Sequence, residues 1–96
     1  MTRTEAMESL RALQPELRKL GVRSIALFGS VLRDEAGPQS DLDLVAEFDP
    51  PHTAKQYFDT LFLIEDSLGV GVDLAEPSTL HPSIRDRILQ EAHRVE

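Results

Sequence analysis

Three short apolar segments leave this chain few ways to fold. They span residues 22–28, 42–48 and 70–75, and each is followed within two residues by Gly or Pro. Apolar runs of this length that end in turn-forming residues are predicted strands. The remaining stretches carry apolar residues at intervals of three and four, which is the period of a helix. The sequence therefore predicts a small sheet with helices packed on it.

The N-terminal twenty residues predict a helix with one interruption. Thr2 and Glu5 have the spacing of a capping box. Apolar residues then recur every three or four positions as far as Leu20. Pro15 lies inside this pattern, so the helix either kinks there or stops near Leu13 and restarts with Pro15 in its first turn.

Two further helices are predicted in the second half of the chain. One spans residues 53–68 and carries Tyr57 and Phe58 on its apolar stripe, which indicates packing in the core. The other opens at Pro82. Its predicted apolar face comprises Ile84, Ile88, Leu89, Ala92 and Val95.

A short helical turn at residues 31–35 and a loop at residues 36–40 complete the assignment. The predicted order is helix, strand, strand, helix, strand, helix. This order favours an α/β (α+β) fold in which a small mixed β-sheet is flanked by helices. A length of 96 residues predicts one domain over residues 1–96.

Composition excludes several classes of function. The chain has no Cys, and so no disulfide, thiolate zinc site or Cys nucleophile. No apolar run approaches the ~20 residues that cross a membrane, and the N-terminus lacks the apolar centre of a secretory signal, so we expect a cytoplasmic protein. A net charge of -7 disfavours direct binding of nucleic acid. The excess acid is either partly neutralised by bound Mg²⁺ or simply keeps the protein in solution.

Three Asp residues are candidate metal ligands. Asp41 and Asp43 stand at i and i+2 at the start of the second strand, so their side chains share a face, and Asp73 is a lone carboxylate in the third strand. Close carboxylates repel each other, and Mg²⁺ removes that cost because it binds one or two carboxylates together with water and phosphate. Each Asp alone also fits a solvated strand position. Glu47 shares the face of Asp43 but lies roughly 13 Å along the strand, too far to share its metal.

Gly29, Ser30 and Arg33 are candidate phosphate ligands. Gly29 permits a close approach of the backbone to a phosphate, and the turn that follows offers N–H groups to an anion. Ser30 adds a hydroxyl, and Arg33 lies one helical turn further on. Alone, each feature more often marks an ordinary turn or a surface residue, but their order ahead of the Asp pair favours binding of Mg²⁺-ATP.

The segment GSVLRDEAGPQSDLDL places ten residues between Gly-Ser and Asp-x-Asp. It resembles the signature of the DNA polymerase beta-like nucleotidyltransferase superfamily. Within that superfamily it is most similar to the minimal nucleotidyltransferases, the MNT antitoxins that are paired with HEPN-domain toxins in prokaryotes. The segments SIALFGS, GVDLAEPSTL and IRDRILQEA also resemble the corresponding parts of such proteins. The resemblance therefore extends over about the whole chain.

The resemblance implies the polymerase beta-like fold and an Mg²⁺ site with two ions. Asp41 and Asp43 would ligate the metals, and Asp73 would help to bind the catalytic metal and to activate the attacking hydroxyl. The residues implied to hold the triphosphate of ATP are Gly29, Ser30 and Arg33. Two positions depart from the pattern of the family. Val31 stands where many members have Arg or another polar residue, and Asp34 stands where many have Gly.

The resemblance also implies a function. The chain would transfer AMP from ATP to a hydroxyl of a cognate HEPN toxin, with Tyr as the expected acceptor, and so neutralise the toxin. Two alternatives remain open: an antitoxin that acts by occlusion without catalysis, and a nucleotidyltransferase for a small molecule such as an antibiotic. The missing substrate domain disfavours the second alternative. The expected partners are ATP and the toxin, without nucleic acid or membrane.

Overall fold

The computed structural model describes residues 1–37 and 40–96. Five helices, one 3₁₀ turn and four strands form in these residues. In chain order they are α1 (Arg3–Ala12), α2 (Gln14–Lys19), β1 (Val22–Phe28), α3 (Gly29–Leu32), β2 (Leu42–Phe48), α4 (Ala54–Leu68), β3 (Val72–Ala75), the 3₁₀ turn (Pro77–Thr79), α5 (Pro82–Glu91) and β4 (His93–Arg94).

The four strands form one mixed sheet in the order β3-β2-β1-β4. β1 is antiparallel to both of its neighbours, β2 and β4, whereas β2 and β3 run parallel. The connection between the parallel strands contains α4, as parallel pairing requires a crossover. The predicted fold class, a small mixed sheet flanked by helices, is confirmed.

The N-terminal helices follow the local sequence closely. Thr2 and Glu5 form the predicted capping box, in which each side chain accepts a hydrogen bond from the backbone N–H of the other residue. α1 ends at Ala12, and α2 begins at Gln14 with Pro15 in its first turn. Of the two alternatives at Pro15, the stop and restart is correct, because Pro lacks the N–H that a continuous helix needs.

α4 lies along the outer edge of β3. The hydroxyl of Tyr57 donates to the Leu74 carbonyl at 2.5 Å, and the carboxylate of Glu65 accepts from the Val72 N–H at 3.2 Å. Edge strands present unpaired backbone groups, and these two side chains satisfy one carbonyl and one N–H of β3.

The core lies between one face of the sheet and the helices. Alternate residues of β2 point into it, because side chains of a strand alternate between its faces. The largest fully buried apolar side chains are Leu10, Leu17, Leu27, Val31, Leu42, Leu44 and Ile64. The opposite residues of β2, which include Asp43 and Glu47, lie on the other face of the sheet.

The predicted last helix is wrong in its C-terminal part. α5 ends at Glu91, the backbone of Ala92 is extended, and β4 then pairs with β1. Val95, expected on the helix face, is buried in the core as the residue after β4. The physical reason is the free edge of β1, whose unpaired backbone groups are satisfied by this segment.

Smaller differences concern three other segments. α3 covers residues 29–32 in place of the predicted turn at 31–35, and β3 is shorter than the predicted strand 70–75. Within the predicted loop 36–40, Pro38 and Gln39 lie outside the described residues. None of the described helices combines the length and apolar character that crossing a membrane takes.

Val95→Ala should test the corrected C-terminus. Val95 is 4% exposed, so its truncation leaves a cavity and should lower the free energy of unfolding by about 2 kcal/mol. Leu89→Ala is the matched control, because Leu89 lies on α5 and is 41% exposed; it should cost less than about 0.5 kcal/mol. Urea denaturation measures both. Equal losses would contradict the fold of this segment.

Candidate active site

The three candidate metal ligands are brought together by the pairing of β2 with β3. The parallel register places Asp43 directly beside Asp73. Two residues before this pair, Asp41 lies beside Gly71, and the Leu42 N–H donates to the Gly71 carbonyl at 2.9 Å. The three carboxylates therefore project from neighbouring positions at one end of the sheet.

Two glycines leave room for these carboxylates. At Gly29, a β-carbon would collide with the carboxylate of Asp43, and the φ angle of 77° is one that other residues rarely adopt. At Gly71, a β-carbon would lie 2.5 Å from Oδ1 of Asp41. A larger residue at either position would displace a carboxylate, so both glycines are parts of the site.

The charges around Asp43 are not balanced. Partial burial raises the pKa of the Asp43 carboxyl above its ordinary value, and the negative charges of Asp73 and Asp41 raise it further. The positive charge of Arg33 and the backbone N–H of Ser30 lower this pKa without cancelling the rise. The arrangement therefore favours a bound cation.

The two N–H groups of the Gly-Ser turn both lie close to carboxylates. The Gly29 N–H donates to Oε1 of Glu91 at 3.2 Å, and the Ser30 N–H lies close enough to Asp43 to lower the pKa of its carboxyl. A phosphate at Gly29 would have to displace or share the contact with Glu91, and phosphate binding by Gly29 and Ser30 stays a prediction. The side chain of Ser30 supplies a further donor, its hydroxyl.

Arg33 is paired with two carboxylates. Its Nε donates to Oε2 of Glu35 at 3.2 Å, and its Nη1 donates to Oε1 of Glu91. These partners raise the pKa of Arg33, with the hydrogen bond to Glu35 as the largest cause. Contact between Arg33 and a phosphate would have to replace or share these pairings, and this role stays a prediction.

The two departures from the family pattern have structural roles. Val31 is buried in the core, so it packs and cannot contact a phosphate. Asp34 has a φ angle of 54°, the left-handed conformation that Gly adopts freely and Asp tolerates. Its Oδ1 also accepts from the Arg3 N–H at 2.8 Å, so the start of α1 is hydrogen-bonded to the turn that follows α3.

Tyr57 and Phe58, both predicted to be core residues, differ in the structure. Tyr57 is half-buried, and its pKa is raised by burial first and then by the negative charges of Asp73 and Glu76, so it borders the site. Phe58 is 49% exposed and stacks on Phe62, and its prediction as a core residue is wrong. It lies on the outer side of α4, away from the buried row that contains Ile64.

Glu91 was not identified from the sequence. It contacts both Gly29 and Arg33, although Gly29 is 62 residues away in the chain. No local pattern marks it, because a Glu outside the predicted apolar face of a helix is expected to be a solvent-exposed residue. Only the pairing of β4 with β1 places it at the site.

The donor atoms fit Mg²⁺. Within residues 1–37 and 40–96, no three His, Cys, Asp or Glu side chains already form a metal-binding cluster. Mg²⁺ does not need such a cluster, because it takes one or two carboxylates and fills its remaining positions with water and phosphate oxygens. Asp41, Asp43 and Asp73 supply only oxygen atoms, and Gly29 and Gly71 keep the space beside them open.

Comparison with known proteins identifies the family. Residues 10–95 match the model of the nucleotidyltransferase domain family. The protein adenylyltransferase MntA of Thermococcus cleftensis is 37% identical over 93 residues, which cover 95% of this chain and 94% of that protein. The chain belongs to the nucleotidyltransferase family. A solved structure that carries the name of a minimal nucleotidyltransferase has a TM-score of 0.84 and 33% identity, with coverage of 97% of this chain and 95% of the other.

A more distant structure shares the fold of this nucleotidyltransferase. It contains a tri-AMPylated HEPN toxin of Shewanella oneidensis in complex with an MNT antitoxin. The match has a TM-score of 0.68 at 14% identity and covers 99% of this chain and 72% of that chain. At this identity the match shows a shared fold alone.

Asp43→Asn should stabilise the nucleotidyltransferase in the absence of divalent metal. Because the pKa of Asp43 is raised in the folded state, the wild type loses stability as the pH rises through that pKa. The variant removes this charge, and its amide oxygen still accepts from the Ser30 N–H. We expect a melting temperature a few degrees above that of the wild type at pH 7 with EDTA, and a smaller difference near pH 4.

Glu47→Gln is the control for this measurement. Glu47 lies on the same strand and the same face, but it pairs with Arg23 at 3.6 Å. Its neutralisation should not raise the melting temperature. A gain of equal size in both variants would show that general charge reduction, not repulsion within the site, is responsible.

Proposed function

We propose that this nucleotidyltransferase transfers AMP from Mg²⁺-ATP to a tyrosine hydroxyl of a HEPN toxin and thereby neutralises the toxin. The observation that carries the proposal is the convergence of Asp41, Asp43 and Asp73 beside the Gly29-Ser30 turn. An oxygen-only site with unbalanced negative charge suits Mg²⁺ and its bound triphosphate.

Each side chain has a role that follows from its position. Asp41 and Asp43 would hold Mg²⁺, which neutralises the triphosphate and stabilises the attacking and leaving oxygens. The turn at Ser30 would orient the triphosphate through its hydroxyl. Asp73 lies on β3 and is exposed, so it is the carboxylate that an incoming acceptor can reach.

The reaction requires one bond to form and one to break. The acceptor oxygen attacks the α-phosphorus of ATP, and the bond to the bridging oxygen breaks as pyrophosphate leaves. The proton of the hydroxyl passes to the carboxylate of Asp73, which is the general-base role for a carboxylate within hydrogen-bond reach. The protein contributes positioning and charge, as is usual for transfer from a nucleotide.

A protein acceptor is supported by the relatives and by the surface of the chain. The relative from Thermococcus cleftensis is named as a protein adenylyltransferase, and a structure of the same fold contains an AMPylated HEPN toxin. Phe58 and Phe62 on α4, at 49% and 54% exposure, and Ile84 and Leu89 on α5 provide apolar area for a partner. Either helix is a candidate contact face, because exposed apolar side chains are enriched at interfaces.

Mg²⁺-ATP should stabilise the folded protein. A ligand that binds only the native state at 100 times its dissociation constant adds about 2.7 kcal/mol to the free energy of unfolding. Thermal melts with Mg²⁺-ATP, with ATP in EDTA and with Mg²⁺ alone measure this effect. Asp43→Asn should lose the metal-dependent part. A wild type whose melting temperature does not respond to saturating Mg²⁺-ATP would contradict the binding site.

Asp41→Asn/Asp43→Asn should separate catalysis from binding of the partner. Loss of both ligands removes several kcal/mol of transition-state stabilisation, so transfer of labelled AMP should fall at least about 100-fold. The complex should persist, because neither Asp lies among the exposed apolar residues. Intact-mass spectrometry of the toxin measures transfer, and size-exclusion chromatography measures the complex. Glu47→Gln is the control that should retain both.

The same experiment distinguishes the alternative functions. If the double variant still neutralises the toxin fully, the protein acts by occlusion, and catalysis is not its mechanism. If the wild type adds no mass to the toxin with Mg²⁺-ATP, this pairing is wrong.

A further inference from the structure

Glu91, the last residue of α5, reaches across to the Gly-Ser turn. Its Oε1 accepts a hydrogen bond from the Gly29 N–H at 3.2 Å, and the same oxygen accepts from Nη1 of Arg33. One carboxylate oxygen thus contacts the backbone of the turn and the first basic side chain after it.

The register of the sheet explains how Glu91 arrives there. β1 and β4 are antiparallel, and Leu27 pairs with His93. Extending this register by two residues places Glu91 opposite Gly29, immediately beyond the end of β1. β4 does not extend far enough to pair with Gly29, so the side chain of Glu91 accepts from the Gly29 N–H instead.

β4 is held firmly enough to fix this position. The Val95 N–H donates to the Ile25 carbonyl at 2.9 Å, and the side chain of Val95 is buried. The Gln14 side chain donates to the Val95 carbonyl at 3.0 Å, and Arg11 donates to the Glu96 carbonyl at 3.0 Å. The chain on the far side of Glu91 is thus anchored to β1, α1 and α2.

The Gly-Ser turn lies between two carboxylates. On the side of β2, Asp43 packs so closely against Gly29 that a β-carbon there would collide with it, and on the side of β4, Glu91 accepts from the Gly29 N–H. Because Gly29 has no side chain and a left-handed backbone, its own packing does not hold it in place. The Glu91 contact supplies that restraint.

We propose that Glu91 is a positioning residue for the nucleotide. It fixes the Gly29-Ser30 turn from the side of β4. It also holds the guanidinium of Arg33 close enough for its positive charge to act on Asp43. This inference rests on the proposed function, since it assigns the turn to the triphosphate. Glu91 touches neither the acceptor nor the carboxylate cluster, so its loss should weaken ATP binding more than it slows transfer by bound ATP.

Three variants isolate this role. Glu91→Ala removes both contacts, and Glu91→Gln keeps an acceptor oxygen but loses the charge that pairs with Arg33. Glu35→Gln is the matched control, because Glu35 pairs with the same arginine at 3.2 Å but makes no contact with Gly29. Circular dichroism checks that each variant is folded.

Two measurements decide the proposal. The first is the hydrogen-exchange rate of the Gly29 amide by NMR without nucleotide; the second is the KM for Mg²⁺-ATP and the kcat of AMP transfer. We expect Glu91→Ala to raise both the exchange rate of the Gly29 amide and the KM about 10-fold or more. A factor of this size corresponds to the loss of a hydrogen bond to a charged group. The kcat should change less. Glu91→Gln should largely restore exchange protection, and Glu35→Gln should resemble the wild type.

The outcomes are distinct. If the Gly29 amide of Glu91→Ala exchanges as slowly as in the wild type, the contact between Glu91 and Gly29 is refuted. If the amide exchanges faster but the KM for Mg²⁺-ATP is unchanged or lower, the positioning role is refuted. If Glu91→Ala does not fold, Glu91→Gln carries the test, since it should raise KM above that of Glu35→Gln. If the wild type transfers no AMP from Mg²⁺-ATP, the proposed function is refuted, and with it the assignment of Glu91 to the nucleotide. The exchange rate of the Gly29 amide still tests the contact with Glu91 independently of activity.

Discussion

The antiparallel pairing of β1 with β2 is the interaction on which the rest of the site depends. It places Phe28, the last residue of β1, opposite Asp43, so the Gly-Ser turn necessarily emerges beside a carboxylate. The close approach then requires Gly at position 29, and the N–H of Ser30 turns toward the acid. A shift of one residue in this register would send Asp43 into the core and Leu44 to the site.

Repulsion among carboxylates is the cost of this arrangement. β2 and β3 align Asp43 with Asp73, and Asp41 precedes Asp43 by two residues, on the same side. The raised pKa of Asp43 shows that the nearby Arg33 and the Ser30 N–H do not offset the crowding. The clustered carboxylates thus lower the stability of the folded protein, as is common where like charges are gathered.

Local patterns predicted those parts of the fold whose causes are local. The capping box at Thr2, the interruption of the helix at Pro15 and the shared face of Asp41 and Asp43 depend on residues a few positions apart. β4 could not be predicted in this way, because Val95 fits a helical spacing as well as a strand, and the free edge of β1 decides between them. Glu91 was missed for the same reason, since its significance depends on a strand some sixty residues earlier.

The two edges of the sheet differ in how they are protected. At one edge, Tyr57 and Glu65 of α4 already bond to the backbone of β3. At the other edge, β4 has only two residues, His93 and Arg94, both exposed. Strand addition needs a longer row of open backbone groups than either edge presents. Both edges therefore disfavour extension of this sheet by a strand of another protein, and the short, polar β4 edge also disfavours edge-to-edge aggregation.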